Sequence, residues 1–351
     1  MANALCRYSR HCSAYSRTPS ARESPKEFLK ALSDVVKAHD VRLLIPMDDP
    51  ECDLFSRGEN VAMLGCQVAI PSEEIYQRAR DKSQTVRLAE EIGIRTPRTS
   101  MIESEGDINR AADLLGFPFI VKPTTGSGSR GFAVIRDAKM VGDVRPILAT
   151  HGPLLAQEFI PPGGSVGVSY LARKGEELAF FTHKRILEFP ESGGPSIVRE
   201  SVHHQASEDA GRLLIRALGW TGVAMAEFRL DSRTGAPVLM EVNPRFWGSL
   251  PLAIASGVDF PRLLCDMYEN LDARGPKDYR VGVKCVNFLP LGLASIVARG
   301  GMRRAMTIAK YALESGNLDV ESLVDPLPSL GALVAFFEYA SDREKMESFY
   351  R

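Results

Sequence analysis

The sequence predicts an α/β (α+β) fold: a small N-terminal α/β layer, then a two-part region built on antiparallel sheets. Three observations predict it. Helical and strand patterns alternate from residue 24 to 71, the signature of a layer with parallel strands. From residue 119 onward short apolar runs follow one another across turn-rich stretches, the signature of antiparallel strands. The chain has 351 residues, more than one ordinary core fills, so two or three packed subdomains are expected.

The elements follow in order. Residues 24–39 place Phe28, Leu29, Leu32, Val35 and Val36 on one helical face, with Ser24 as N-cap and Pro25 at the first helical position. Residues 41–46 (VRLLIP) and 66–71 (CQVAIP) read as buried strands with a helix between them. No glycine-rich turn precedes the first helix, so this layer is read as shortened. One helix is expected over 73–93, closed by Gly93, and another over 105–115. FIVKP (119–123), FAVIRD (132–137) and LLAQEFI (154–160) form a small antiparallel sheet. A glycine-rich loop, 126–131, joins its first two strands. From 165 the chain is strand-rich. A helix over 206–219 turns Leu213, Leu214, Ala217 and Leu218 inward and ends at Gly219. A helix at 301–315 and an apolar stretch at 330–340 complete or cover the core. The domains are therefore expected at 1–76, 77–160, 161–275 and 276–351.

Composition narrows the function. Apolar residues make up 44% and charged residues 25%, the balance of a soluble globular protein. Lys+Arg is 43 against Asp+Glu 44, so no broad nucleic-acid footprint is expected. No run of about 18 apolar residues occurs, so no membrane span is expected. The six cysteines are scattered without a CxxC pair, which points to reduced thiols in a cytoplasmic protein and away from a structural zinc. The first 22 residues hold Arg7, Arg10, Arg17, Arg22 and no acid, a composition like a transit peptide. They lack an amphipathic period, so a strand and loop at the edge of the first layer is expected.

The segment 222–248 is the most informative. Two apolar runs flank DSRTGA, which reads as a β-hairpin. Side chains alternate faces along a strand. Ala224, Ala226, Phe228 and Leu230, with Val238, Met240 and Val242, are assigned to the core. Glu227 and Arg229, with Glu241, Asn243 and Arg245, take the other face. A turn centred on Thr234 sets Glu227 opposite Glu241. Like charges so placed are destabilising, so a cation between them is expected. Carboxylates and an amide oxygen are hard ligands suited to Mg²⁺, which keeps positions for water and phosphate. The alternative is two solvated glutamates partnered by Arg229 and Arg245.

Upstream, Lys122 ends an apolar strand just before the glycine loop. Glycines let backbone N–H groups turn toward an anion, and a lysine adds charge. No GK[ST] follows, so this is not a Walker loop. Lys82, in RDKSQT, is a second candidate phosphate contact.

Taken together these pieces resemble the ATP-grasp superfamily, which includes biotin carboxylase, D-alanine–D-alanine ligase and carbamoyl phosphate synthase. The resemblance covers roughly residues 41–272. It rests on DKSQT (81–85), FPFIVKPTTGSGSRG (117–131), LLAQEFI (154–160), AMAEFRLD (224–231) and LMEVNPRFWGS (239–249), in that order. It implies an ATP-grasp fold and roles residue by residue. Lys82 and Lys122 look like the phosphate-holding lysines. Gly126, Ser127, Gly128, Ser129 and Gly131 look like the mobile lid. Gln157, Glu158, Phe159 and Ile160 look like the adenine-side hinge. Glu227, Glu241 and Asn243 look like the ligands of Mg²⁺ (or Mn²⁺). Arg245 looks like the arginine that, with Lys122, steadies the reacting groups. The family usually carries an acid past the hinge for the ribose hydroxyls. Here PPGGSVGVS (161–169) has none, and Ser165 or a backbone group is expected to substitute.

The chain looks most like the predicted ATP-grasp carboligases, through HKRILEFPESGGPSIVRES (183–201). There Lys184, Arg185, Gly194 and Ser196, together with Arg245, are expected to bind the substrate carboxylate. The implied function is an ATP-dependent carboxylate–amine (or thiol) ligase working through an acyl phosphate and releasing ADP and phosphate. Its partners are small carboxylates and amines, and a homodimer is compatible with it. A bicarbonate-activating carboxylase and a nucleotide-binding regulatory module are the alternatives. The residues that choose the substrates lie in 161–200 and beyond 245, where Phe246, Trp247 and His203 have no assignable partner in the sequence.

Overall fold

The computed structural model describes residues 4–126, 130–189 and 194–340. In the N-terminal layer, helix α1 (Pro25–Ala38) and helices α2 (Asp49–Phe55) and α3 (Gly58–Ala62) surround two short parallel strands, β1 (Leu43–Leu44) and β2 (Gln67–Val68). Phe28 and Leu29 of α1 pack with Phe55, Leu64 and Val68. Each such side chain contributes about 1.5–3 kcal/mol relative to exposure. Among the described residues before 22 the expected edge strand does not form. A 3-10 turn at Leu5–Tyr8 stands there instead, its Tyr8 ring against Gly331 of the helix Leu327–Ala340, where a Cβ would not fit.

The single helix expected over 73–93 is two, α4 (Glu73–Arg80) and α5 (Lys82–Glu91). Asp81 causes the break: its backbone is extended and its carboxylate accepts the Ser83 N–H at 2.8 Å, capping α5. Beyond lies a four-stranded antiparallel sheet in the order β3-β6-β4-β5. Its strands are β3 (Thr99–Ile102), β4 (Phe119–Pro123), β5 (Ala133–Ile135) and β6 (Leu154–Glu158), and the sheet packs with α6 (Glu105–Leu115) and α7 (Val144–His151). Strand β3 was not expected from the sequence, because RTPRTSMI carries no apolar period of its own.

The second sheet has six strands in the order β11-β10-β7-β8-β9-β12. They are β7 (Pro162–Arg173), β8 (Glu176–Glu188), β9 (Ser196–Ser201), β10 (Gly222–Asp231), β11 (Pro237–Asn243) and β12 (Lys284–Val286). One face packs Val168, Tyr170, Ala224 and Phe228 against Leu214 and Leu218 of α8 (Gln205–Leu218). Gly219 ends α8 in the left-handed region at φ 63°. Leu213, expected inside, is exposed, because Gly211, Leu214, Ile215 and Leu218 make the buried stripe. The other face packs α9 (Leu250–Ser256) and α10 (Phe260–Tyr268) through Phe181, Met225, Leu252 and Phe260. Strand β12 makes the segment after 276 part of this sheet. No helix among the described residues is long and apolar enough to cross a membrane.

Candidate active site

The hairpin of β10 and β11 sets Glu227 directly opposite Glu241. It does so through a bulge. Phe228 pairs with Leu239 and Glu227 with Glu241, so Met240 has no partner. The bulge shifts the alternation that the sequence suggested. Leu239 takes the core position, and Met240 lines the cavity instead. Its freed carbonyl accepts a hydrogen bond from Lys122 Nζ at 3.0 Å. The bulge therefore anchors a lysine from the other sheet beside the carboxylates.

Each carboxylate meets a cation from a different element. Arg185 Nη2 donates to Glu227 Oε2 at 2.5 Å, and Asn243 Nδ2 donates to Glu227 Oε1 at 3.0 Å. Lys82 Nζ lies 3.4 Å from Glu241 Oε2 and donates to the Gly126 carbonyl at 2.9 Å. Burial raises the Glu227 carboxyl above its usual range; Arg185 opposes this and Glu241 adds to it. Burial also raises Glu241, but Lys82 and Lys122 outweigh it and hold the carboxyl low. Lys122 is pushed down to about 8, chiefly by burial, with Glu241 opposing and Lys82 adding.

These residues fit a hard divalent cation. Among the described residues no group of three His, Cys, Asp or Glu gathers as a metal cluster. Mg²⁺ needs only one or two carboxylates, because water and phosphate oxygens fill its octahedron. Turning the Asn243 amide would present its oxygen as the third protein ligand.

The break after Asp81 places Lys82 at the start of α5, where its backbone N–H donates to the Thr124 carbonyl at 2.8 Å. Both Lys82 and Arg80 reach the Gly126 carbonyl, Arg80 at 3.4 Å. Gly126 and Gly131 have φ of 124° and 73°, conformations that favour glycine. Ser127, Gly128 and Ser129 lie outside the described residues.

The expected hinge lies where β6 ends at Glu158 and the chain crosses to β7 at Pro162. None of Gln157, Glu158, Phe159 and Ile160 lines the cavity. The Gln157 side chain is buried and donates to Thr99 Oγ1 at 3.0 Å. Glu158 is held by Arg98 and Arg233, both at 3.3 Å, and Ile160 is buried. Ser165 does line the cavity, opposite Arg229 in the register of β7 and β10.

On the substrate side the strand alternation divides the two cations of β8. Arg185 lines the cavity, of about 390 Å³, with Gly194 and Ser196. Lys184 points from the other face of the strand and pairs with Glu200 at 3.4 Å, which removes it from the substrate set. Arg245 lines the cavity with its guanidinium engaged: Nε donates to Asp49 Oδ1 at 2.5 Å and Nη1 to the Phe246 carbonyl at 2.8 Å. Asp49 is buried and also lies 3.6 Å from Arg80, so the N-terminal layer holds an arginine of the site.

Sequence reading missed Asp49, Arg80, His183 and Arg199. Only Asp49 carried a signal, the N-cap pattern Asp48-Asp49-Pro50. His183 lines the cavity over Gly167, where a side chain would collide with its ring. Its Nε2 shares a hydrogen bond with Ser249 Oγ at 3.1 Å. Burial, then Arg185 and Arg199, push its pKa down to about 3, so it is neutral at pH 7. Phe246 is buried and Trp247 lines the cavity. His203 contacts Glu208 and Asp278 instead.

Two protein-family models match this chain. One, ATP-grasp in the biosynthetic pathway with Ter operon, matches residues 151–287. The other, the ATP-binding domain of the carbamoyl-phosphate synthase L chain, matches residues 81–147. Between them they take in both lysines and both halves of the hairpin.

The chain belongs to the ATP-grasp superfamily. This ATP-grasp chain is 29% identical over 257 residues to the N5-carboxyaminoimidazole ribonucleotide synthase of Pseudomonas aeruginosa, covering 70% of this chain and 63% of that protein. It is 24% identical over 237 residues to the carbamoyl phosphate synthase large chain of Myxococcus xanthus, covering 63% of this chain and 22% of that protein. The chain thus spans about a fifth of the synthase. Among solved structures it resembles the biotin carboxylase domain of the 2-oxoglutarate carboxylase of Hydrogenobacter thermophilus, in complex with MgADP, ADP and bicarbonate. There the TM-score is 0.61 at 16% identity, covering 73% of this chain and 60% of that one.

Proposed function

We propose that this ATP-grasp protein is an ADP-forming ligase that activates a carboxylate as an acyl phosphate and passes the acyl group to an amine or thiol. The observation that carries the reading is Glu227 opposed to Glu241, with Lys82 and Lys122 from two other elements converging on the same edge. ATP with Mg²⁺ is the ligand such a set suits. When bound, Mg²⁺ held by Glu227, Glu241 and Asn243 supplies positive charge to the transferring phosphoryl group.

The chain's own residues do the rest. Lys82 and Lys122 hold phosphate oxygens, which is positioning and electrostatics rather than covalent chemistry. The substrate carboxylate attacks the γ-phosphorus, the bond to the β-phosphate oxygen breaks, and ADP leaves. The nucleophile then attacks the acyl carbon and phosphate departs. In this reading Arg245, held by Asp49, supports the oxyanion that forms there, and support of this kind is worth about 3 kcal/mol per donor.

A second reading changes the acid. The Hydrogenobacter domain was solved in complex with MgADP, ADP and bicarbonate, and activation of bicarbonate here would make the protein a carboxylase. ADP release measured across amino acids, small carboxylic acids and bicarbonate separates the two readings. Tight ATP binding with no ADP release from any of them would favour a regulatory module. Lys122→Ala should weaken ATP binding in calorimetry, and unchanged affinity would sink the phosphate role.

A further inference from the structure

Arg185 on β8 lies directly opposite Arg199 on β9. Like charges so placed are unfavourable without a counter-ion. Arg185 is met by Glu227 and Glu188. Arg199, whose side chain is 2% exposed, has Asp319 on Nη2 and the Ser196 carbonyl on Nη1 at 3.0 Å. Its Nε is buried without a partner. So is Nε1 of Trp247. Both side chains line the cavity that also contains Glu227 and Glu241.

Arginine Nε and indole Nε1 can only donate. Buried polar groups in native proteins are paired, so the group that completes them is an acceptor. Asn287, which lines the same cavity, is already engaged. Asn287 Oδ1 takes the Leu291 N–H at 3.2 Å, and Asn287 Nδ2 is spent on Asp319 at 2.9 Å. Farther along the sheet Arg229 lines the same cavity with no hydrogen-bond or ion-pair partner among the described residues. The excess of donors and positive charge here matches an anionic oxygen ligand.

We infer that the acid this ligase activates is a dicarboxylate. One carboxylate is presented to the γ-phosphate, and the second accepts hydrogen bonds from Arg199 Nε and Trp247 Nε1. This rests on the ligase reading and names its substrate class. The activating step balances as before: a carboxylate oxygen bonds to the γ-phosphorus and ADP leaves. With hydroxylamine as nucleophile, its nitrogen bonds to the acyl carbon, phosphate leaves and a hydroxamate forms.

The test uses the full chain with ATP, Mg²⁺ and hydroxylamine. Hydroxamate is measured from succinate, glutarate and glutamate, and from the neutral-ended propionate, butyrate and glutamine. The dicarboxylates should be preferred in kcat/KM by about 100-fold, since a site built to hydrogen-bond a group rejects analogues lacking it. Trp247→Phe keeps the ring and removes one N–H. It should cut that preference by about 10-fold, the worth of one hydrogen bond to a charged group, and leave the KM for ATP in place. Equal use of both acid classes, or a preference that survives Trp247→Phe, overturns the inference and leaves the ligase reading standing. Hydroxamate from neither class, with Mg²⁺-dependent ATP binding intact, overturns it too. Loss of ATP binding itself in the wild-type chain would instead bring down the reading beneath it.

Discussion

Two pairs of like charges face each other across the large sheet, and they are resolved in opposite ways. Glu227 and Glu241 are 19% and 31% exposed in their side chains, and each is met by one cation from elsewhere. Arg185 and Arg199 sit two strands away, at 18% and 2% exposure, and the buried one is tied to Asp319. The first pair is open toward the cavity, so its counter-charges can be exchanged for a divalent ion. The second is closed on its protein side and leaves the buried Nε of Arg199 without a protein partner among the described residues. On the proposed reading, the difference separates a site that exchanges ions from one that selects a substrate.

The largest expected effect on that contrast comes from Asp319→Ala. It strips the buried Arg199 of its counter-ion and should destabilise the fold by about 3–5 kcal/mol in a denaturant titration. A loss below about 1 kcal/mol would show that the arginine pair is as open as the carboxylate pair. Next is Gly167→Ala, between the two pairs, where a Cβ collides with the His183 ring. Overpacking of this kind costs about 1–3 kcal/mol, and a neutral result would mean His183 does not rest on β7. The smallest effect belongs to Lys184→Ala. Its exposed pair with Glu200 should contribute less than about 1 kcal/mol, with ADP release preserved. A loss of activity there would return Lys184 to the substrate set.

The carboxylate pair was legible in the sequence because it is local. A turn near Thr234 joins the two strands, so counting residues gives the register. Even there the bulge escaped, and with it the position of Met240, because a single unpaired residue leaves no periodic trace. The break at Asp81 was hidden for a related reason. One capping aspartate splits an otherwise helical run. The arginine pair was not legible. The register of β8 and β9 shifts twice after Arg185, and the residues that complete that end come from distant segments, Trp247, Asn287 and Asp319. At the hinge, sequence order located the crossing after Glu158, but the side-chain contacts of Gln157 and Glu158 with Thr99, Arg98 and Arg233 depend on packing that no local pattern records. Asp49 lay 196 residues from Arg245, beyond any spacing argument.

The central claim is that the opposed glutamates work as a cation site for nucleotide chemistry. Glu241→Gln tests it most directly, because it removes one charge and keeps the shape. Its Tm should stay within a few degrees of the wild type, since relief of the Glu227 repulsion and of the burial of a charge offsets the lost attraction of Lys82 and Lys122. Its Mg²⁺-dependent ADP release should fall by about 100-fold or more, the scale of losing one electrostatic contact to a reacting group. Near-normal Mg²⁺-dependent ADP release from a folded Glu241→Gln chain would contradict the account.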